Sequence, residues 1–333
     1  FGTNTVELIP SLDPHEPPGP HMRTGIWQMT VALSELLDTY GLDVWIYLNV
    51  EHDWDLGHPE KSRRWLERCE ALFRSLPRLD VVFVPGGDGD EVKITPQVML
   101  PLLQRLHGRL TETHPEAAVW LSNQAFRPAQ NDFLFEHLST REPDWLGGIV
   151  YGPYTKLDLF EERRRVPPRF DIVRYSDINH CVRGEYTVPN WDRAFARTHG
   201  REPICPRPRA MSHIDALYGP LSRGFVAYSD GVNDDLNKLV WSFRAWHPEA
   251  EVGAFLREYA RAFFGDRQVD AVADGLAMLE RSWVGPLVEN EGIEPTLEHW
   301  QGIADGAGGE ALGSNWRLQM HLLRARYDAY LQR

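Results

Sequence analysis

The sequence has few cysteines, no long apolar run and no basic stretch, and each absence argues against a class of protein. Its three cysteines are an odd number without a CxxC pair, so neither a disulfide framework nor a thiolate zinc site is expected. Its apolar runs are too short to cross a bilayer, so no membrane partner is expected. A net charge of −13 without a basic stripe argues against a nucleic-acid partner.

Signatures of cofactor binding and of a serine nucleophile are missing as well. Gly86, Gly87 and Gly89 match neither the dinucleotide-binding spacing nor the phosphate loop, and we predict no cofactor. A Gly-x-Ser-x-Gly elbow is absent, which weighs against a serine hydrolase. Because Phe1 already lies in a strand-like run, the sequence predicts an N-terminal truncation, and we favour a secreted or periplasmic protein.

Aromatic and acidic side chains are what the chain has in abundance. Twelve tryptophans among 333 residues is a high count, and their rings suit both a packed core and the faces of sugars. A hydrophobic fraction of 42% is enough to fill the core of one large barrel or of two ordinary domains.

Apolar, β-branched runs alternate with amphipathic helical patterns, which predicts parallel strands in βαβ units. The predicted strands are Thr3–Ile9, Val44–Val50, Leu79–Val84, Ala117–Leu121, Trp145–Val150, Phe170–Tyr175 and Gly224–Tyr228. Polar residues follow every strand, as at the working face of a (β/α)8 (TIM) barrel, whereas a doubly wound sheet concentrates them at a switch point. We therefore predict an α/β fold: a (β/α)8 barrel without its first strand at 1–247, then a helical domain at 248–333 with a loosely structured link at Gly302–Gly313.

One predicted strand ends in an acidic turn, Pro85 to Glu91. Its three glycines allow the backbone to turn tightly and to approach a ligand closely. Asp88, Asp90 and Glu91 place three carboxylates within four positions, and their repulsion predicts that at least one has a raised pKa. Such a group suits acid–base catalysis, although an ordinary surface turn has the same composition.

If the strand ends share one mouth, further acids, amides and aromatic groups surround this turn. The candidate substrate-binding residues are Glu7, Glu51, Asn123, Tyr151, Tyr154, Asp177, Asn179, His180, Arg207, Arg209, Tyr228 and Asp230. Glycoside hydrolysis needs two carboxyl groups of unlike pKa and no cofactor, and hydroxyl-rich substrates bind to side chains of these types. The two arginines suit the carboxylate of an acidic sugar, or else pair with the protein's own acids.

Two other functions fit many of the same residues. A metal-dependent hydrolase or isomerase would draw its ligands from Glu51, His52, Asp53, His58 and the later acids, although we predict no metal. A non-catalytic carbohydrate-binding barrel would keep the aromatic and amide groups but would have no acid pair at working distance. Asp234 and Asp235 precede a predicted helix, where capping it is their alternative role.

The acidic turn resembles a family signature. The segment Val84–Val92 is similar to a stretched form of the His-x-Gly-Gly-Asp-Glu-Val motif of family 20 β-N-acetylhexosaminidases, which lies at the end of the fourth barrel strand. The segments Tyr228–Lys238 and Tyr259–Gly265 resemble bacterial barrel proteins related to α-glucuronidases and hexosaminidases. Pro85 stands where the motif has histidine, and Gly89-Asp90 separates the two acids that are adjacent in the family.

The resemblance implies a barrel enzyme that removes a terminal sugar, either an N-acetylhexosamine or an acidic sugar. By motif, Glu91 is the general acid, and Asp88 or Asp90 orients the substrate acetamide that acts as the internal nucleophile. Another arrangement in the same fold keeps the acid on the turn and places its partner at Asp177 or Asp230. We predict a glycosidase with a carbohydrate substrate, as a monomer or an oligomer.

Overall fold

Seven strands form the central parallel sheet, in which neighbours follow one another in chain order. The computed structural model describes residues 2–50, 55–88, 91–176, 186–198, 204–227 and 235–333, and for 309–313 only the backbone. The sheet strands are β1 Thr5–Leu8, β2 Asp43–Tyr47, β3 Val81–Pro85, β6 Ala118–Ser122, β7 Leu146–Tyr151, β8 Asp171–Ser176 and β9 Gly224–Ala227. A short antiparallel hairpin, β4 Gly87–Asp88 and β5 Glu91–Val92, follows β3.

Helices connect the strands and make up the rest of the chain. They are α1 Ile26–Thr39, α2 Pro59–Ser75, α3 Pro96–Leu110, α4 Pro128–Arg141, α5 Leu159–Arg165, α6 Arg193–Thr198, α7 Pro208–Tyr218, α8 Asp235–Trp246, α9 Val252–Phe264, α10 Val269–Arg281, α11 Ile293–Ser314 and α12 Trp316–Gln332. Proline opens four of them, because its fixed φ suits the first turn, where its missing N–H leaves no bond unmade. No helix of the described residues is long and apolar enough to span a membrane.

Large side chains at alternate strand positions fill the inner face of the sheet. The register pairs Phe83 with Trp120, and the rings of Trp45 and Trp120 lie 5.4 Å apart. The buried cluster consists of Trp45, Val81, Phe83, Trp120, Val150 and Val173. The sheet curls around this cluster into a nearly closed barrel with surrounding helices, which confirms the predicted fold class.

The chain forms two compact units. The barrel unit comprises residues 3–175 and 221–226, and the helical unit comprises Gly2 with residues 176–220 and 227–333. Inside the helical unit, Arg324 and Asp328 form a buried ion pair in which Arg324 Nε lies 2.8 Å from both carboxylate oxygens. The same guanidinium lies 3.5 Å from the ring centroid of Trp283, which adds a cation–π contact to the pair. The predicted boundary at residue 247 stays a prediction.

The predicted loose link at Gly302–Gly313 is wrong, because α11 runs through it. Trp300 in the first half of α11 is fully buried, and its indole N–H donates to the Gly275 carbonyl at 3.1 Å. Gly308, with a φ of 76°, interrupts the helical geometry within these residues. Burial of the preceding turns therefore holds a helix where the glycine content alone predicts a loop.

Candidate functional site

Glu7, near the carboxyl end of β1, points into the barrel. The Tyr175 hydroxyl of β8 donates to Glu7 Oε1 at 3.0 Å, and this bond crosses the interior because β1 and β8 are not neighbours in the sheet. Glu7 Oε2 is buried and has no hydrogen-bond partner among the described residues. Burial raises the pKa of Glu7 to about 7, and the bond from Tyr175 only partly opposes this effect. At neutral pH the carboxyl can therefore donate or accept a proton.

Tyr47 at the end of β2 links Glu7 to the acidic turn. Burial raises the pKa of Tyr47, and the negative charges of Asp88 and Glu7 raise it further. The ring of Phe83 lies between two tyrosines, with centroid distances of 5.3 Å to Tyr47 and 6.0 Å to Tyr175. A desolvated acid and an exposed acid thus flank one aromatic wall.

The acidic turn forms the β4–β5 hairpin, in which Asp88 and Glu91 are cross-strand partners. Side chains directly opposite in an antiparallel pair lie on the same face, so these two carboxyls are neighbours. Both are exposed, and Lys93 Nζ lies 2.7 Å from Glu91 Oε2. The lysine offsets part of the repulsion between the two acids. Asp90, the third acid of the turn, lies outside the described residues.

The Ser122–Phe126 segment, which we call the seat, supports this hairpin from below. Gly86 N–H donates to the Ser122 carbonyl at 2.9 Å, and the Gln124 side-chain amide donates to the Gly87 carbonyl at 3.1 Å. A Cβ on Gly86 would lie 2.4 Å from the Phe126 ring. The two glycines are therefore required by the close approach of two backbone segments, whatever the chemistry of the turn.

We expect Gly87→Ala to destabilise the protein by about 1–3 kcal/mol, because overpacking forces the backbone to move. A Cβ at this position would lie 2.1 Å from the Glu91 carbonyl oxygen and 2.9 Å from Ala125 Cβ. The matched control is Gly108→Ala at an exposed position of α3, where a Cβ meets nothing within 4 Å, and it should stabilise by up to about 1 kcal/mol. Urea unfolding measures both, and equal stability of Gly87→Ala and wild type would contradict the close packing.

Asn123, a predicted substrate ligand, belongs to the seat, and its side chain is fully buried. Its amide nitrogen donates to Asn131 Oδ1 and to Glu162 Oε2, each at 3.0 Å. Glu162 of α5 is itself fully buried, and burial raises its pKa to about 7 against the lowering effects of Asn123, Arg165 and Arg163. The structure thus places Asn123 against a helix and not in the mouth.

The two predicted tyrosines of the barrel unit follow β7 and differ in exposure. The Tyr151 hydroxyl donates to the Leu157 carbonyl at 2.9 Å, which fixes the ring against its own loop. Tyr154 is 45% exposed, and its carbonyl accepts a hydrogen bond from Ala125 N–H of the seat at 3.2 Å. Tyr154 therefore presents an accessible aromatic face beside the seat.

The two predicted arginines belong to the helical unit, at the start of α7. Arg207 is buried, and its Nη1 donates to the Tyr186 carbonyl. Arg209 is exposed, and its backbone N–H donates to Glu280 Oε2 at 3.0 Å. Glu280 thus caps α7, and the Arg209 side chain faces solvent. Whether either arginine binds a sugar carboxylate stays a prediction.

The remaining predicted site residues lie outside the described residues. They are Glu51, Asp177, Asn179, His180, Tyr228 and Asp230. Of the residues named for a metal site, His58 is described, at the residue preceding α2, whereas His52 and Asp53 are not. Asp235 accepts from Arg317 Nε at 2.8 Å and from the Tyr259 hydroxyl at 3.2 Å. Within the described ranges, no group of three or more His, Cys, Asp or Glu side chains is arranged to hold a metal ion.

Sequence reasoning did not include Tyr47, Tyr175 and Glu162 among the candidate residues. For the tyrosines a signal existed: alternation along β2 puts Tyr47 on the face of Trp45, and Tyr175 precedes the polar end of β8. Glu162 gave none, because it lies in the charged run Glu161–Arg165, which is typical of a solvated helix surface.

The fold can be compared with that of known proteins. No protein-family model and no curated protein sequence matches the chain. A point mutant of the O-GlcNAc hydrolase of Thermobaculum terrenum is similar, with a TM-score of 0.60 and 9% identity over 95% of this chain and 72% of that one. The fold is a nearly closed β/α barrel followed by C-terminal helices. A Bacteroides uniformis β-glucuronidase matches more weakly, with a TM-score of 0.35 and 14% identity over 68% of this chain and 26% of that one.

The similarity to the O-GlcNAc hydrolase concerns the fold, which is the β/α barrel predicted from the sequence. At such low identities the similarity establishes the fold only, and the chemistry has to be inferred from the residues of the site. The narrower resemblance to family 20 hexosaminidases stays a prediction.

Proposed function

We propose that this chain is a glycoside hydrolase that removes a terminal sugar, an N-acetylhexosamine or an acidic sugar, by carboxylate catalysis at the barrel mouth. The observation that carries the proposal is the set of acids at the carboxyl ends of barrel strands: Asp88 and Glu91 are cross-strand partners in the hairpin after β3, and the desolvated Glu7 lies near the end of β1. Carboxyl groups in unlike environments at this end of a barrel suit an acid–base reaction without a cofactor. The similar solved structure named an O-GlcNAc hydrolase favours the N-acetylhexosamine of the two classes.

The two described acids of the hairpin differ in their surroundings, and this supports distinct roles. The charge of Asp88 acts on the half-buried Tyr47, so we assign Asp88 the inner role of orienting the substrate acetamide. Glu91 is exposed and has Lys93 beside it, so we assign it the outer role of protonating the leaving group, which departs toward solvent.

Glu7 completes the proposed site as a ligand of the sugar. With a pKa of about 7, it keeps its proton in slightly acidic solution and donates a hydrogen bond to a sugar hydroxyl through Oε2. Tyr154 offers an accessible ring for stacking on a sugar face. We assign Asn123 an indirect role, that of holding the seat.

A panel of aryl glycosides tests the proposal most directly. We expect wild-type protein to turn over an N-acetylhexosaminide or a uronide, and to do so equally well after treatment with a chelator. Glu35→Gln, on the exposed face of α1, is the control for protein quality. Sugar binding by calorimetry with no turnover of any glycoside would favour the non-catalytic barrel. Activity that a chelator abolishes and a divalent ion restores would favour the metal-dependent enzyme.

A further inference from the structure

The seat below the acidic hairpin is anchored to two helices through the single side chain of Asn123. Both hydrogens of its amide nitrogen are used, one toward Asn131 of α4 and one toward Glu162 of α5, each at 3.0 Å. The Asn123 carbonyl also accepts from Phe126 N–H at 2.9 Å, which closes the turn of the seat. Nearby, the Asn131 amide nitrogen lies 3.5 Å from the Phe126 carbonyl. Asn123 is therefore the residue through which the helices fix the seat.

Two buried oxygen atoms of this cluster lack the donor that each requires. Asn123 Oδ1 and Glu162 Oε1 have no hydrogen-bond partner among the described residues, and both atoms are buried from bulk solvent. An ionised carboxylate and an amide carbonyl are both pure acceptors, so neither satisfies the other. A single proton on Glu162 Oε1 would give the carboxyl a donor to aim at Asn123 Oδ1, and would also remove a buried charge.

We propose that Glu162 in its protonated form closes a two-hydrogen-bond ring with Asn123 and thereby positions the acidic hairpin through the seat. In this ring the Asn123 amide donates to Oε2 and the acid O–H donates to Asn123 Oδ1. Loss of the proton leaves two buried acceptors, Glu162 Oε1 and Asn123 Oδ1, without a donor between them. The seat then becomes less rigid. Gly86 and Gly87, which bond to the seat, then lose their support, and with them Asp88 and Glu91.

The charged groups around Glu162 allow this behaviour. Arg163 and Arg165 on its own helix act on it, but Arg163 donates to the Phe170 carbonyl at 3.0 Å and Arg165 to Asp132 Oδ1 of α4 at 2.6 Å. The groups of α4 and of the β6 end that hydrogen-bond in the cluster are the neutral amides of Asn131 and Asn123. Because both guanidinium groups are hydrogen-bonded to other partners, they do not pair with Glu162, which agrees with its raised pKa.

Amide hydrogen exchange of residues 86–94 tests the ring without reference to activity. In wild type, protection corrected for intrinsic exchange should fall about tenfold between about pH 5 and about pH 9, as Glu162 ionises. Glu162→Gln keeps the ring, since its amide donates to Asn123 Oδ1, and its protection should be the same at both pH values. Glu162→Ala should lack the extra protection at both. Glu35→Gln, at an exposed position of α1, should behave as wild type.

The second readout is the infrared difference between wild type and Glu162→Gln at about pH 5, which should contain the carbonyl band of one protonated carboxylic acid, because the band of Glu7 is common to both proteins and cancels. Equal loss of protection in wild type and Glu162→Gln, or no such band, would overturn the ring and favour a buried water between the two oxygens. The effect on turnover rests on the proposed function: Glu162→Gln should extend activity to higher pH. If no glycoside is turned over, the exchange and infrared results still decide the ring.

Discussion

Glu91→Gln should lower kcat/KM by about 10²–10⁴ on a glycoside with a poor leaving group, and by less than about tenfold on an activated aryl glycoside. The difference follows from the role assigned to Glu91. An alkyl leaving group needs a proton as the glycosidic bond breaks, whereas an activated phenol leaves without one. Glutamine keeps the shape of the side chain and its place in β5 but has no proton to give. Measuring both substrates therefore isolates the acid.

Asp88→Asn should instead lower kcat/KM by about 10³ on both substrates, because the acetamide attack that it assists precedes any need for a leaving-group proton. This contrast separates the inner and outer acids of the hairpin even though they are cross-strand neighbours. Glu35→Gln is the same chemical change at an exposed site and should leave both rates unaltered.

Other patterns would change the assignment of roles. Full activity of Glu91→Gln on both substrates would remove Glu91 as the acid and direct attention to Asp88 or Asp90. An equal loss of kcat/KM on both substrates in both variants would mean that the hairpin acts as a unit. Its correct fold, and not the proton of Glu91, would then determine the rate. Circular dichroism and the exchange of residues 86–94 would distinguish a misfolded hairpin from a chemical effect.

The barrel could be predicted from the sequence because its strands are short, apolar and followed by polar residues. Predicted Val44–Val50 and Phe170–Tyr175, for example, overlap observed β2 and β8 closely. Burial on both faces makes the strands recognisable as short, continuous apolar runs, and the intervening helical patterns predict parallel pairing. The order of the sheet then follows from the chain order, with no long-range information needed.

The site was harder to predict, because its geometry depends on contacts between distant segments. The sequence marks Pro85–Glu91 as unusual, but not that Ser122–Phe126 passes beneath it and requires Gly86 and Gly87. Likewise, Asn123 follows a strand, as a substrate ligand would, yet the partner that holds it lies 39 positions further along the chain. Position at a strand end predicts the neighbourhood of a side chain and not the direction in which it points.

For Glu7 the sequence predicts the position correctly but not the environment of the side chain. Its place near the end of β1 predicts an acid at the mouth, and the structure puts it there. Its desolvation, however, comes from the aromatic side chains of other strands, among them Tyr47 and Tyr175, which no local pattern connects with Glu7. The property that gives Glu7 its chemistry is therefore tertiary.

That property predicts an unusual dependence of stability on pH. The pKa of Glu7 is about 7 in the folded protein and close to the ordinary 4.5 when unfolded. Between these values the folded state holds a proton that the unfolded state has released, so the free energy of unfolding falls as pH rises. The stabilisation is complete below about pH 4.5 and is lost as pH rises through about 7, a difference of about 3 kcal/mol.

Glu7→Gln should remove this contribution, because glutamine fills the same space and does not titrate. Urea unfolding across the pH range measures it: the variant should gain stability relative to wild type by up to about 3 kcal/mol above pH 7 and match it below about pH 4.5. The ion-paired acids Glu70 and Glu294 have pKa values lowered by arginines, so their contributions to stability change with pH in the opposite sense. Both acids are present in wild type and in the variant, so their contributions cancel in the stability difference. A Glu7→Gln curve parallel to that of wild type would show that Glu7 is ionised throughout, and its proposed role as a donor to the sugar would be lost. The sign of this stability difference between Glu7→Gln and wild type therefore tests both the pH dependence of unfolding and the protonation state of Glu7 in the proposed site.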